Sequence, residues 1–422
     1  MKNLRLFLSL SLALILISGI LSTSAFAVID TYGDGESVDK AVLTGNQVVA
    51  APYTPELKIC ANKGNWQKYA ENSVEGITDC TAEYISVDVR LTKDGVPVLM
   101  ADETLDRMCI DAEGNTVTGL VSDKTYEEIS KYFLRYANGG ELAKKSNYPV
   151  ASLKDALNAI DNGNTLIIDI SVDDLGKVAG FVENEEKLGK VLFRLTDAKS
   201  RDVASIVTKN QRFANLIIPQ YNGNIIFSAN SLIDNAAEAK LNIVKVGTKN
   251  RNGVVLYDSY TAQFKENKIM AMFSMVDEYA ADRKDDVTGW DNVISHGYSI
   301  IETDYPELLA RYIESTDELK GDLRSLVEMC EDYLKGEYSS ESLKEFTSAY
   351  NTAKAYVDGV ASQSQLSAAF YDLSEAYSTL EKASPDEVAG KFTFSVGRLI
   401  AAVLCGGAFV ASQIYLYKKR KK

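Results

Sequence analysis

The chain has 422 residues and a single histidine, His296. Any mechanism that passes protons between two imidazoles is therefore excluded, because no other side chain titrates near neutral pH without heavy tuning. His296 sits in the stretch Ile294-Ser295-His296-Gly297, a few residues before an apolar run, and reads as a helix-end or loop residue. Cysteine is also scarce. Five in a chain of this length are too few for a disulfide scaffold, although Cys60, Cys80 and Cys109 fall close enough in sequence for one bridge in an oxidising compartment. Positive charge is short as well. With 45 Lys and Arg against 59 Asp and Glu the formal net charge is -14, which argues against nucleic acid and against broad adhesion to anionic lipid. What remains is 46% hydrophobic residues, enough for one large domain and a smaller one.

Long apolar runs lie at the two ends. Residues 1–27 join Lys2 and Arg5 to an apolar stretch and the small-x-small ending Ala25-Phe26-Ala27, the parts of a cleaved secretory signal peptide. Residues 392–417 are apolar apart from Arg398, Gln413 and a few hydroxyls, and the basic tail 418–422 follows at once. A run of that length crosses about 30 Å of hydrocarbon and keeps the basic cluster on the cytoplasmic side. The expectation is a single-pass protein of the cell membrane, held by one carboxy-terminal helix, with almost everything between the ends outside the cell.

Between these ends, residues 28–56 form a leader of little periodicity that packs loosely or wraps the floor of the next domain. The stretch 57–109 then reads strand, helix, strand, tight turn, strand, with the turn at Thr92-Lys93-Asp94-Gly95. A glycine-broken insertion over 111–147 holds one amphipathic piece, 126–136. Tyr148-Pro149 leads into a helix at 153–160. Short apolar runs at 165–170, 190–195, 215–219, 242–246, 268–275 and 298–303 alternate with helical patterns, which argues for a parallel sheet covered by helices. With the first three strands there is one candidate more than a (β/α)8 barrel needs, and either 215–219 or 242–246 reads as the extra. From 315 to 384 three helical stripes, built on Leu319 to Leu334, Leu343 to Val357 and Leu366 to Leu380, predict a small three-helix bundle with reversals at Gly336 and Gly359. Residues 385–391 link it to the membrane helix.

The opening stretch resembles the amino-terminal signature of the glycerophosphodiester phosphodiesterase family, whose first strand ends in His-Arg-Gly and whose next helix opens with Glu-Asn-Thr. Here Asn62-Lys63-Gly64 and Glu71-Asn72-Ser73 stand at those places. The turn 92–95 matches the family's Thr-Lys-Asp-Gly, and Ile301-Glu302-Thr303-Asp304-Tyr305-Pro306 resembles its closing Ile-x-Thr-Asp-x-Pro. The likeness covers about 57–313 and implies a TIM barrel of the phospholipase C-like phosphodiesterase type over 57–314. The 315–384 bundle is similar to spacer or adhesive modules of bacterial surface proteins.

The resemblance also implies a chemistry, and the chain departs from it. Both family histidines are replaced, by Asn62 and Ala101, and Ser86 stands for one carboxylate of Glu-x-Asp. Asn62 cannot exchange a proton at neutral pH and Ala101 has nothing to exchange. Glu103, beside Asp102, is the one nearby carboxylic acid that could reach in. By the same resemblance Asp88 and Asp169 are the metal candidates, for calcium or magnesium weakly bound. Asn62, Lys63, Glu71 and Asp102 are the candidates for binding a substrate, with Lys63 at the family's arginine. Asn72 matches too, as a cap or brace for the following helix. Trp66 and Trp290 read as rim or core packing. Three functions follow. The first is a catalytically impaired barrel that binds a phosphodiester, a polyol phosphate or a glycan such as a cell-wall polymer. The second is an active metal-dependent phosphoric diester hydrolase working without histidine. The third is a structural or adhesive protein acting through the bundle.

Overall fold

A computed structural model describes residues 51–382, apart from 161–162, 197–199, 223–225, 250–253, 281–282 and 337. The expected signal segment, most of the leader, the 385–391 linker, the 392–417 membrane helix and the basic tail lie outside the described residues. No helix among the described residues is long and apolar enough to cross a membrane.

The strands, in chain order, are β1 (Lys58–Asn62), β2 (Tyr84–Leu91), β3 (Pro97–Leu99), β4 (Cys109–Ile110), β5 (Phe133–Arg135), β6 (Lys145–Pro149), β7 (Thr165–Ile170), β8 (Val191–Leu195), β9 (Ile217–Ile218), β10 (Gln220–Asn222), β11 (Ile243–Gly247), β12 (Met270–Ser274) and β13 (Ile300–Thr303). Nine of them pair in the order β10-β11-β12-β13-β1-β2-β7-β8-β9. Each pair along this path is parallel. The two ends of the path, β9 and β10, flank Pro219 and are consecutive in the chain. Proline has no N–H to give a ladder, so one strand position is split in two there. Its carbonyl still accepts from the Lys245 amide at 2.9 Å. Counted as one position, β9 and β10 leave eight in a nearly closed, TIM-barrel-like sheet.

Residues 215–219 and 242–246 therefore both contribute barrel strands, and the extra candidate is the third strand of the opening motif. Thr92 accepts the Gly95 amide and donates its own to Val96, so the chain reverses and β3 pairs antiparallel to β2, outside the barrel. The amphipathic piece expected at 126–136 is also two elements. A short helix, Tyr126–Ile129, is capped by Thr125, and β5 follows, pairing with β4 and β6 in a small antiparallel roof.

The barrel interior is layered, and the layering follows from the two-residue repeat of a strand. Cys60, Tyr84, Ile167, Leu192, Ile218, Ile243, Met272 and Ile300 form one buried cluster inside the sheet. Two residues further along each strand stand Asn62, Ser86, Asp169, Arg194, Gln220, Lys245, Ser274 and Glu302. The amino-terminal half of the barrel is thus apolar and the carboxy-terminal half polar. Of the described leader residues, Ala51 and Tyr53 pack on the apolar cluster, and Asn242 donates to the Ala51 carbonyl at 2.9 Å. Outward-facing strand residues such as Ile85, Val87, Ile168 and Phe193 bury against the surrounding helices.

The bundle forms as its stripes require. Leu323, Leu326, Cys330, Phe346, Tyr350, Ala353, Leu366, Leu373 and Tyr377 make its core. Its first helix is not separate from the barrel, because Pro306–Cys330 is one continuous helix and the boundary expected at 314 falls inside it. Asp291, on the helix Val287–Ser295, ties the first and third bundle helices to the barrel by accepting from Tyr312 Oη at 2.8 Å and from the Ser364 amide at 3.1 Å. The four described cysteines are unpaired and lie in four different apolar clusters, so no two of Cys60, Cys80 and Cys109 are set to form a bridge.

Gly64 fixes how β1 leaves the barrel. Its φ is +77°, and a Cβ there would stand 3.0 Å from the Gly76 carbonyl carbon in the helix Val74–Thr78. Gly95 in the hairpin turn has φ +79° with nothing within 4 Å of that position. Gly95→Ala should therefore cost only the backbone strain, about 1 kcal/mol, whereas Gly64→Ala should cost clearly more by urea unfolding. Equal losses would contradict this packing.

Candidate functional site

The mouth of the barrel is built first by the loop from β1 to the helix Val74–Thr78. Lys63 and Asn72 both hold left-handed backbone, at φ 57° and 58°. The Asn72 amide donates to the Lys63 carbonyl at 3.1 Å, so each steadies the other. Ser73, not Asn72, caps the helix, its Oγ accepting from the Gly76 amide. The Asn72 side chain is a clamp on Asp88. Its Nδ2 donates to Asp88 Oδ2 at 3.0 Å and its Oδ1 accepts from the Asp88 amide at 3.1 Å.

Glu71 is buried, and it gathers two cations. Lys63 Nζ lies 3.2 Å from Glu71 Oε2, and Arg107 Nη2 donates to Glu71 Oε1. Arg107 Nε also donates to Asp102 Oδ2 at 2.5 Å, and Nη1 to the Asn138 carbonyl of the roof. Lys63, Glu71 and Asp102, three of the residues expected to bind a substrate, thus belong to one chain of ion pairs, with Arg107 joining the β1 loop to the roof. The two carboxylates beside it hold the Arg107 guanidinium in its charged form, against the opposing effect of burial. Glu103 is exposed, while its carbonyl accepts from the Val121 amide.

Asn62, the fourth expected residue, is held by Asp304, donating from Nδ2 to Oδ1 at 2.9 Å. Trp66 Nε1 donates to the same oxygen at 2.9 Å, which places Trp66 on the rim. Trp290 is core, with its Nε1 on Asp285. Ala101 offers only its carbonyl, which accepts from Arg90 Nη2 at 2.8 Å. Ser86 lies in register with Asn62 across β1 and β2. His296 follows the helix Val287–Ser295 at its carboxy-terminal end and its Nδ1 sits 2.7 Å from the Asn292 carbonyl. It therefore precedes β13, at the end of the barrel away from the mouth.

Asp88 and Asp169 are partners in register on β2 and β7, so the two expected metal candidates do meet. Asp169, however, is already engaged. Arg194 Nε donates to its Oδ1 at 2.6 Å and Nη2 to its Oδ2 at 2.5 Å. Arg194 Nη1 reaches Glu302 Oε1 at 2.6 Å, and Lys245 Nζ stands 3.0 Å from Glu302 Oε2 and 3.1 Å from Asp277 Oδ2. Arg194, Lys245 and Glu302 are all buried. Burial alone would raise the Glu302 carboxyl, yet Arg194 and Lys245 beside it hold it well below the usual carboxylate range. Asp169 goes the other way. Burial pushes it up to about 6 even with Arg194 in contact, because it has one cation where Glu302 has two and it faces Asp88 and Glu302.

These donors do not fit a hard divalent cation. Such an ion needs several free carboxylate or carbonyl oxygens at short range. An ion about 4 Å from the guanidinium would meet a repulsion of about 8 kcal/mol at an effective dielectric of about 20. Among the described residues no group of three or more acidic, histidine or cysteine side chains is arranged to hold a metal.

Arg107, Arg194, Lys245, Asp277, Glu302 and Asp304 were not foreseen in the sequence. For three of them a signal existed. VLFRL, IVKVG and IIET are apolar strands that each carry one charge near the carboxy-terminal end. A fully buried parallel strand admits a charge only where a partner waits. For Arg107 there was none, since nothing in its spacing says that it folds back on Glu71.

Two outcomes follow. Replacing Arg194 by Met leaves Asp169 without its cation and Glu302 with Lys245 alone, and should cost about 3–5 kcal/mol by urea unfolding. A loss under about 1 kcal/mol would contradict the network. Because the folded pKa of Asp169 lies above its unfolded value of 3.8, its contribution is present below that value and lost as pH rises through about 6. The stability of the parent protein relative to Asp169→Asn should therefore be greatest below about pH 4 and shrink as pH rises through about 6. An advantage that grows with pH would reverse the sign.

Residues 63–257 match the glycerophosphoryl diester phosphodiesterase family. Among solved structures, a glycerophosphoryl diester phosphodiesterase from Parabacteroides distasonis ATCC 8503 is 21% identical, with 66% of this chain and 90% of that chain covered and a TM-score of 0.49. A glycerophosphodiester phosphodiesterase from Agrobacterium tumefaciens str. C58 is 20% identical, covering 60% of this chain and 99% of that one at a TM-score of 0.45. One from Thermotoga maritima is 16% identical, over 61% and 99%, at 0.42. No curated protein matches. The match opens at Lys63, on the β1 loop that builds the mouth, and ends beyond β11, so the likeness to that family model lies within the barrel.

Proposed function

We propose that the barrel is a membrane-tethered, cell-surface binding protein of phosphodiesterase type, taking a phosphodiester, polyol phosphate or glycan at its mouth and leaving it uncleaved. The observation that carries this reading is the pair Asn62 and Ala101. Asn62 gives its amide protons to Asp304, and Ala101 contributes only a backbone carbonyl that Arg90 already holds. Loss of one positioned acid or base costs about 10² to 10⁴ in rate, and neither residue can replace one. Glu103, the carboxyl that the sequence offers beside Asp102, is exposed. Lys63 is the cation best placed to meet a ligand anion, since it is only partly buried and its single described partner is Glu71.

The test is turnover and binding on the full chain in detergent. Glycerophosphodiesters with calcium or magnesium should be hydrolysed no faster than in a protein-free blank, and Asp88→Ala should leave that rate unchanged. Binding of a glycerophosphate polymer, read by calorimetry, should weaken in Lys63→Ala. Hydrolysis that disappears in Asp88→Ala would instead favour a histidine-independent hydrolase.

A further inference from the structure

We infer that the guanidinium of Arg194 takes the place that a divalent cation would need in this barrel, so that the mouth is held together by internal cations in place of a metal. A metal shared by Asp88 and Asp169 would have to bind at least one Asp169 oxygen. Each already accepts from Arg194, Oδ1 from Nε at 2.6 Å and Oδ2 from Nη2 at 2.5 Å, so an ion on either oxygen would lie against the guanidinium's positive charge. The third arm of the same guanidinium, Nη1, holds Glu302 at 2.6 Å. A planar fork that serves two carboxylates in fixed directions does what a coordinated ion does, drawing acidic groups from separate strands toward one point.

The charges agree with this. Arg194 and Lys245 together carry two positive charges, the same as one calcium ion, and they face Asp169, Glu302 and Asp277 on β7, on β13 and after β12. The position of Arg194 is set by the fold. It stands in register with Asp169 on β8, as Asp169 does with Asp88 on β7, and two residues past Leu192 of the apolar floor. The side chain rooted there is almost wholly buried and held by carboxylates on two strands. The inference does not rest on the loss of turnover, which depends on Asn62 and Ala101.

The test uses calcium alone as the probe, on the full chain in detergent, read by melting temperature and by calorimetry. The parent protein should melt at the same temperature with calcium or with a chelator and give no binding heat. Arg194→Gln removes the charge while keeping a side chain in the space. It should melt lower than the parent and regain several degrees with calcium, and the regain should vanish in the double variant Arg194→Gln, Asp169→Asn. Arg194→Lys, which keeps a positive charge, should stay indifferent to calcium. Calcium stabilisation of the parent that Asp169→Asn removes would overturn the inference. So would an Arg194→Gln chain that neither binds calcium when folded nor recovers its fold when refolded with it.

Discussion

Charge held inside a sheet that is otherwise apolar is the constraint on which this structure turns. A (β/α)8 barrel fills its interior with side chains, and a buried charge there costs several kcal/mol unless a partner offsets it. Here two buried cations offset most of the charge of three carboxylates. Asp169, Arg194, Glu302, Lys245 and Asp277 alternate in sign along one connected path. The path links β7 to β8, crosses to β13, returns to β11 and ends beyond β12, so it ties together strands distant in sequence. Such a network constrains which strands can be neighbours more strongly than methyl groups could, since an apolar core tolerates rearrangement and an unpaired charge does not.

The same arrangement separates two tasks that one metal could otherwise perform. A divalent ion at a barrel mouth binds ligand oxygens and also joins the strand ends that supply its carboxylates. Internal cations keep the second task and give up the first, because Arg194 has its donors spent on protein carboxylates. The rim carries Lys63 on Glu71, Asn62 and Trp66 on Asp304, and the Arg107 junction with the roof. In the proposed reading, the replacements at positions 62 and 101 and the position of Arg194 point the same way. Each alone would impair cleavage of a phosphodiester, and both leave the concave shape of the mouth in place.

Much of this fold was legible in the sequence, and the reasons differ by element. The barrel strands were visible because buried parallel strands are nearly unbroken apolar runs, and each run from Thr165–Ile170 to Ile300–Thr303 shows it. The extra strand was misassigned because an apolar run carries no sign of its direction. Val96 to Met100 reads like any barrel strand until the reversal at Thr92 is seen to pair it with β2. The helix Pro306–Cys330 hid the junction of barrel and bundle for a related reason, since a helix that changes neighbours midway changes only the phase of its stripe. At the site, Lys63, Glu71 and Asp102 could be named from their places in the motif. Their association could not, because it depends on Arg107, which reaches back across the roof. The sequence offers Asp169 as a metal candidate and gives no sign of its ion pair with Arg194, because that partner lies on another strand and side-chain pairing across strands is not written in residue spacing.

The most direct measurement of the central claim is a crystal structure grown with manganese, which takes carboxylate sites suited to calcium or magnesium and scatters anomalously. The account predicts the Arg194 guanidinium in contact with both Asp169 and Glu302, with no anomalous peak between Asp88 and Asp169. A peak bridging those two carboxylates, with Arg194 turned away from them, would contradict it.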